Sequence, residues 1–263
     1  MKTITCIAAA ILLLSSCAPM KMSVSDDLKS ATDEYTVKGL QGILINQKLS
    51  FGDYKTSKVK RSWTKGSQSR TGIGLGGTPT EDWVNIISTE YIRRKQTVNF
   101  SLEAGGHSSD VYCVSRFNSE DLKIGRSENS ILNIGMDIFG KGYSSESTYY
   151  VQLFTDEDTR PWQLLLDNQA AQARSRSYIG YLARTDKEYY TIHPVTKLEH
   201  KGKTGSTLMG SVGFEIRNPG GKAVAAVSTL DRGMVFLGKV SPEERFLMAN
   251  VCAALLLQQQ IDA

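Results

Sequence analysis

The sequence has little of the chemistry that catalytic and metal sites need. It contains three histidines in 263 residues, and His193 and His200 are seven positions apart with Pro194 between them. That is no regular spacing for metal ligands, and His107 follows two glycines in a predicted turn. No Gly-x-Ser-x-Gly nucleophile motif is present, and no pair of carboxylates lies in an apolar stretch. These absences predict a protein that is not an enzyme and that holds no metal or other cofactor.

Strong net charge is also missing. The formal net charge is +4, which is too small to indicate a nucleic-acid-binding protein. Cysteine is scarce, with four residues. Cys6 and Cys17 belong to the amino-terminal segment, and Cys113 and Cys252 are predicted to be small buried hydrophobic residues. A disulfide between the last two is the alternative.

No apolar run is long enough to cross a bilayer. The run at the carboxyl end, residues 246–257, contains one polar residue, Asn250. As a helix it would span about 18 Å, whereas a bilayer core requires roughly 20 apolar residues. Ser241, Pro242 and Glu244 precede it in a pattern typical of a helix start, and a helical wheel leaves no solvated face. The run therefore predicts a helix over residues 241–260 that protein surrounds on every side.

The first residues have the pattern of a bacterial export signal. Lys2 is followed by an apolar run at residues 7–14, and residues 14–17, Leu-Ser-Ser-Cys, resemble a lipobox. The resemblance implies that residues 1–16 are a signal peptide and that Cys17 carries the lipid. It also implies that Ala18 directs the protein to the outer membrane, where we expect it to face the periplasm. A soluble secreted protein cut near the same point is the alternative.

The rest of the chain divides into a polar segment and a long β-rich region. Residues 17–38 are mostly polar with no hydrophobic period, which predicts a flexible tether. From residue 39 onward, short β-branched and aromatic stretches alternate with turns and predict about thirteen strands in one domain, residues 39–263. The predicted strands are residues 43–51, 54–63, 83–92, 97–103, 111–117, 130–139, 148–154, 161–166, 177–183, 189–195, 212–216, 223–230 and 234–237. A second short helix is predicted over residues 167–174.

The strands and the carboxyl-terminal helix together predict the architecture. An antiparallel sheet of this many strands leaves open edges unless it closes. A closed barrel of about twelve strands has a lumen too wide for its own side chains to fill, and the helix supplies the filling. We therefore expect a mainly β protein, a closed antiparallel barrel of about 12 strands around a buried hydrophobic helix. The alternative is a β-sandwich or a lipocalin-like barrel with the helix packed outside.

The last fifty residues resemble a known barrel superfamily. Residues 213–216, Gly-Phe-Glu-Ile, are followed by residues 231–236, Asp-Arg-Gly-Met-Val-Phe, and then by Ser-Pro-Glu-Glu-Arg at 241–245. This succession is similar to the tubby-like superfamily, which includes the LURP-one-related proteins and phospholipid scramblases. The resemblance implies a twelve-stranded barrel threaded by its carboxyl-terminal helix. It also implies binding of anionic lipid headgroups through basic strand positions.

Basic positions of that kind are concentrated in residues 55–65, which carry five cations. Strand alternation puts Lys58 and Lys60 on one face and Lys55, Arg61 and Trp63 on the other. Basic residues beside an aromatic side chain suit a layer of lipid headgroups. The residues predicted to bind lipid or a partner are Lys58, Lys60, Arg61, Trp63, Arg93 and Arg94. The alternatives are a charged edge strand, protected against pairing with other chains, and a solvated turn for the last two.

The combined patterns predict a non-catalytic outer-membrane lipoprotein. We expect it to bind anionic lipid headgroups or an envelope protein partner, and not nucleic acid. Binding to headgroups would weaken with salt, because salt screens exposed charges. The alternatives are a structural component of an envelope assembly and a hydrolase with a site that no motif indicates.

Overall fold

The computed structural model describes residues 20–40, 47–62, 97–117, 148–156, 160–207 and 210–258. The helices are α1 (Asp26–Lys29), α2 (Asn168–Ala173) and α3 (Pro242–Gln258). The strands are β1 (Lys21–Met22), β2 (Thr32–Thr36), β3 (Ser50–Phe51), β4 (Tyr54–Thr56), β5 (Lys60–Ser62), β6 (Thr97–Ala104), β7 (His107–Phe117), β8 (Thr148–Thr155), β9 (Trp162–Asp167), β10 (Gly180–Ala183), β11 (Tyr189–Val195), β12 (Lys197–His200), β13 (Lys203–Ser206), β14 (Gly213–Arg217), β15 (Ala223–Ser228) and β16 (Met234–Gly238). Helix α2 is the short helix predicted over residues 167–174. The predicted strands 83–92 and 130–139 lie outside the described residues.

Thirteen of these strands form one antiparallel sheet that curls into a nearly closed barrel. Its order is β2-β16-β15-β14-β11-β10-β9-β8-β7-β6-β4-β3, with β5 also paired to β6. The ends of this order meet just beyond β2, where Lys38 and Ser50 exchange main-chain hydrogen bonds of 2.9 and 3.0 Å. The predicted fold, a mainly β antiparallel barrel of about 12 strands with a carboxyl-terminal helix, is confirmed.

Helix α3 occupies the lumen of this barrel. It contacts β15 and β16 on one side and β6, β7 and β8 on the other. Every residue from Phe246 to Gln258 is buried, as the missing polar face requires. The start of the helix is capped as predicted, since Ser241 Oγ accepts a hydrogen bond from Glu244 N at 3.2 Å. Among the described residues, no helix is long and apolar enough to cross a membrane.

Helix α3 forms buried hydrogen bonds with strands of the barrel wall at two points. Asn250 is fully buried; its Nδ2 donates to Phe246 O at 2.9 Å, and its Oδ1 accepts from Ser109 Oγ at 2.6 Å. On a neighbouring strand, Tyr149 OH donates to Ala254 O at 2.8 Å. A buried polar group left unpaired costs about 1–3 kcal/mol. These bonds therefore favour one rotation of the helix relative to β7 and β8.

The amino-terminal segment belongs to the folded domain, so the predicted flexible tether at residues 17–38 does not hold for residues 20–38. Strand β2 pairs with β16 along its length, and β1 pairs with β12. Leu28 is fully buried, and Met22 and Val24 pack with it on the outside of the barrel against Phe236. The sequence did not predict this packing, because the few apolar residues of this polar segment are spaced with neither a strand period nor a helix period.

Cys113 and Cys252 are buried and free, as predicted for core residues. Burial raises the pKa of the Cys113 thiol to about 12 and also raises the pKa of the Cys252 thiol. Neither side chain is a thiolate at neutral pH, so both act as small hydrophobic residues.

Candidate functional site

Three lysines of the predicted basic stretch share the outside of the barrel. Lys55 in β4, Lys58 between β4 and β5, and Lys60 in β5 are exposed, and we call them the lysine ridge. Alternation predicted Lys55 on the opposite face from the other two, and this is wrong. Ser57 and Lys58 are both exposed, so the inward and outward alternation slips by one residue between β4 and β5.

Arg61 is separated from the lysine ridge. Its side chain is half-buried and its pKa is lowered by burial, while the nearby Tyr149 phenol opposes that shift. Tyr149 is fully buried inside the barrel, where its hydroxyl contacts Ala254 of α3. Arg61 therefore lies toward the lumen, unlike the lysines. The other predicted residues, Cys17, Trp63, Arg93 and Arg94, lie outside the described residues.

One carboxylate lies beside part of the lysine ridge. Lys55 is directly opposite Glu103 in β6, whereas Lys60 is opposite Asn99. Opposed side chains on neighbouring strands have Cβ atoms about 5 Å apart, close enough for opposite charges to interact. The positive potential of the ridge is therefore reduced at Lys55 and concentrated at Lys58 and Lys60.

A second cationic surface surrounds the hairpin of β12 and β13. Lys197, Lys201 and Lys203 of this hairpin are exposed, and so is Lys21 in β1, which pairs with β12. Met20, immediately before β1, is an exposed large hydrophobic residue, with 57% of its surface accessible. We call Met20, Lys21, Lys197, Lys201 and Lys203 the hairpin surface.

Glu199 is the carboxylate closest to this surface in the strand register. It lies opposite Lys21 and forms a long ion pair with Lys29, at 3.6 Å. The side chains of Glu199 and Lys29 are 41% and 44% exposed, and exposed ion pairs contribute little because water screens them. Glu199 is on the same face of this three-stranded sheet as Lys21 and Lys197, whereas Lys203, opposite His200, is on the other face. Four lysines around one glutamate leave the hairpin surface basic.

The two cationic surfaces lie on opposite walls of the barrel. The segment that holds β1 and the hairpin packs on the outside of β11 and β14–β16, with Met22, Val195 and Leu198 in the contact. The lysine ridge belongs to β4 and β5, which pair with β6. Between β14 and the ridge strand β4 lie β15, β16, β2 and β3 in one direction, and β11, β10, β9, β8, β7 and β6 in the other. One flat partner cannot contact both walls at once.

A polar pocket of about 380 Å³ lies between the amino-terminal segment and the outer face of β11 and β14. The lining residues that define its chemistry are Ser25, Lys29, His193, Lys197, Glu215 and Arg217. His193 and Glu215 are opposite each other on β11 and β14, and Arg217 is two positions further along β14. The pocket is shared by the barrel wall, the amino-terminal segment and the hairpin, and it borders the hairpin surface at Lys197.

Glu215 joins the two sides of this pocket. It is 4% exposed; its Oε1 accepts a hydrogen bond from Ser25 N at 2.6 Å, and its Oε2 accepts one from Arg217 Nη2 at 2.9 Å. His193 Nε2 instead contacts Thr191 Oγ1, at 2.9 Å. Both carboxylate oxygens are engaged away from the imidazole, so the cluster lacks the base-orienting contact of a nucleophile triad.

Acidification is expected to destabilise the protein through His193. Burial lowers the pKa of His193, repulsion by Arg217 lowers it further, and Glu215 opposes the shift. Because the folded pKa lies below the ordinary value of 6.5, the unfolded chain binds more protons as the pH falls through this range. The stability contributed by neutral His193 is therefore present above pH 6.5 and is lost below it. Urea midpoints measured at about pH 7.5 and about pH 5.5 should differ less in His193→Gln than in the unchanged chain.

His200→Gln is the control for this measurement, because His200 is exposed on the hairpin. It should keep the pH dependence of the unchanged chain. An identical pH dependence in all three proteins would show that His193 is not the group responsible.

Comparisons with protein-family models, curated proteins and solved structures find no match to this chain. Across the part of the chain that the structure describes, no group of three or more His, Cys, Asp and Glu side chains is placed to hold a metal ion. Any function proposed for the chain must therefore be argued from its geometry. That geometry is a barrel filled by its own helix, with two cationic surfaces and a polar pocket on the outside.

Sequence patterns found the lysine ridge and missed the hairpin surface and the pocket. The hairpin had a local signal, since residues 197–203 read Lys-Leu-Glu-His-Lys-Gly-Lys, with lysines on both sides of a turn glycine. The pocket had no such local signal in the sequence. Ser25 and Glu215 are 190 positions apart and meet only because the amino-terminal segment packs across the outside of β14.

Proposed function

We propose that this chain is a non-catalytic lipoprotein of the bacterial outer membrane, cleaved after residue 16 and anchored through Cys17. In this proposal the domain faces the periplasm, and its hairpin surface rests on anionic lipid headgroups. The observation that carries the proposal is the position of the hairpin surface, which begins at Met20, three residues after the predicted lipid attachment site.

The short distance to the anchor supports this orientation. Three peptide units span at most about 11 Å, so a lipid on Cys17 would hold Met20 close to the bilayer surface. Lys21 and the three hairpin lysines are exposed beside it. A lysine near an anionic membrane contributes about 1 kcal/mol. A basic patch beside a lipid anchor strengthens attachment to an anionic membrane.

The filled barrel supports a binding role at its outer surface. Lipocalin-like barrels bind their ligands in the lumen. In this domain, helix α3 fills that space. A ligand or partner of this domain must then bind outside, at the cationic surfaces or the pocket.

A protein partner at the lysine ridge is the second candidate function. It is favoured because the ridge lies on the wall opposite the hairpin surface and would point away from a membrane that holds Met20. Lys58 and Lys60 would then contact an acidic surface of an envelope protein, and the chain would be a component of an envelope assembly. The two roles are compatible because they use different walls.

Lysine footprinting on vesicles tests the orientation. The full acylated chain is bound to vesicles of phosphatidylglycerol and phosphatidylcholine, treated briefly with an amine-acetylating reagent and analysed by mass spectrometry. We expect Lys21, Lys197, Lys201 and Lys203 to lose reactivity at least about five-fold relative to vesicles of phosphatidylcholine alone. Lys58 and Lys60 should change less than about two-fold and serve as controls within the same molecule.

Two outcomes would overturn parts of this proposal. Protection of the lysine ridge with a reactive hairpin would mean that the opposite wall faces the membrane. A Cys17→Ser chain that still fractionates fully with the outer membrane would show that the acyl anchor is not what holds the protein there.

A further inference from the structure

The pocket between the amino-terminal segment and β14 contains buried donors that its own acceptors do not use. Ser25 Oγ and Arg217 Nε are both buried, and neither has a hydrogen-bond partner among the residues that the structure describes. The acid between them, Glu215, is already occupied by Ser25 N and Arg217 Nη2. Buried polar groups are almost always paired, so two orphan groups in one pocket point to a bound acceptor.

The charges around the pocket favour an anion. Its lining includes the cations of Lys29, Lys197 and Arg217 and the carboxylates of Asp26 and Glu215. The charges of Arg217 and Glu215, which form an ion pair at 2.9 Å, cancel each other. Two lysines then face one aspartate, which leaves the open part of the pocket positive. The long, exposed ion pair between Lys29 and Glu199 is weak, so the Lys29 amine can turn toward a ligand at little cost.

We infer that this pocket binds a phosphate group carried on a small polar molecule. After side-chain rotations that bring them to the pocket surface, Ser25 Oγ and Arg217 Nε would donate to its oxygens, and Lys29 and Lys197 would balance its charge. The volume of about 380 Å³ is in the range of small-molecule sites and exceeds the space a phosphate ion alone occupies, which leaves room for an ester substituent. The ligand is a lipid headgroup or a soluble phosphate ester, since both present the same oxygens.

Isothermal titration of the full chain with sn-glycerol 3-phosphate tests this inference. Ser25→Ala removes the orphan hydroxyl and keeps the Ser25 N to Glu215 bond, so we expect binding to weaken about five- to ten-fold without loss of folding. Arg217→Lys keeps a positive charge and removes Nε, and we expect a loss of about ten-fold or more. Ser30→Ala is the matched control, because Ser30 lies at the end of α1 and its hydroxyl bonds Asp26 O outside the pocket lining.

The ligand source is distinguished by two further titrants. Tighter binding of glycerophosphoglycerol, a phosphodiester with the headgroup of phosphatidylglycerol, indicates a lipid source, whereas tighter binding of glycerol 3-phosphate or inorganic phosphate indicates a soluble one. Equal binding by Ser25→Ala, Arg217→Lys and the unchanged chain would overturn the site. So would the absence of heat with all three titrants at millimolar concentration. Neither result affects the footprint at Lys201 and Lys203, so the pocket and the membrane orientation fail independently.

Discussion

Truncating Leu255 to alanine is expected to lower the free energy of unfolding by about 3–5 kcal/mol. Leu255 is fully buried in α3, and strands from both sides of the barrel enclose that helix. The cavity left behind has no open side toward which the structure can relax, which places the cost in the upper part of the known range. Urea unfolding followed by circular dichroism measures the change, which is a large part of the stability of a typical domain.

Leu198→Ala is the control for this prediction. This substitution removes the same atoms as Leu255→Ala, but from a half-buried position on the outside of the barrel. It should therefore lower the free energy of unfolding by about 1 kcal/mol or less. If the two substitutions had similar effects, α3 would not be the centre of the packing. Amide exchange gives an independent check, because the amides around Leu255 should exchange only when the whole domain unfolds.

Replacing Gly39 with alanine is expected to disrupt the seam that closes the barrel. Gly39 has φ = +82°, and a Cβ atom there would lie 1.8 Å from the carbonyl oxygen of Lys48. The clash is with backbone, so one of the two segments must move, and the adjacent bridge between Lys38 and Ser50 is lost. We expect a loss of about 3–5 kcal/mol, the sum of backbone strain and overpacking. Hydrogen exchange at the amides of Lys38 and Ser50 should become faster.

Gly106→Ala separates the two causes. Gly106 has a similar φ of +88°, but a Cβ atom there would meet nothing within 4 Å. Only the backbone strain remains, worth about 1–2 kcal/mol for a non-glycine residue in this region. If Gly39→Ala and Gly106→Ala had equal costs, the close approach to Lys48 would not matter for closing the barrel.

The closing seam also explains why the domain begins before the predicted boundary at residue 39. Strand β2, with the sequence Thr-Asp-Glu-Tyr-Thr, is polar, and Tyr35 is its one large hydrophobic residue. It joins the barrel through main-chain hydrogen bonds to β16, which almost any sequence can form. A strand held in this way has no hydrophobic period, and that period is the main local signal of secondary structure.

The lysine ridge shows a different limit of local patterns. Alternation correctly separated Lys58 and Lys60 from Arg61, and it misplaced Lys55 because two consecutive residues, Ser57 and Lys58, both face outward. A one-residue slip of this kind reverses every assignment on one side of it. Which residue slips depends on the pairing partner, which a single strand does not specify.

Hydrophobicity along the chain was sufficient to predict a barrel filled by its last helix. A helix with apolar residues on every side must be enclosed, and a sheet of many short strands removes its open edges by closing, whatever the strand order. Only the strand order in the sheet decides that the lysine ridge and the hairpin surface lie on opposite walls. Only the tertiary structure brings Ser25 to Glu215, 190 residues away. A side chain's preference for burial is a local property, whereas its neighbours across a sheet are set by contacts summed over the whole chain.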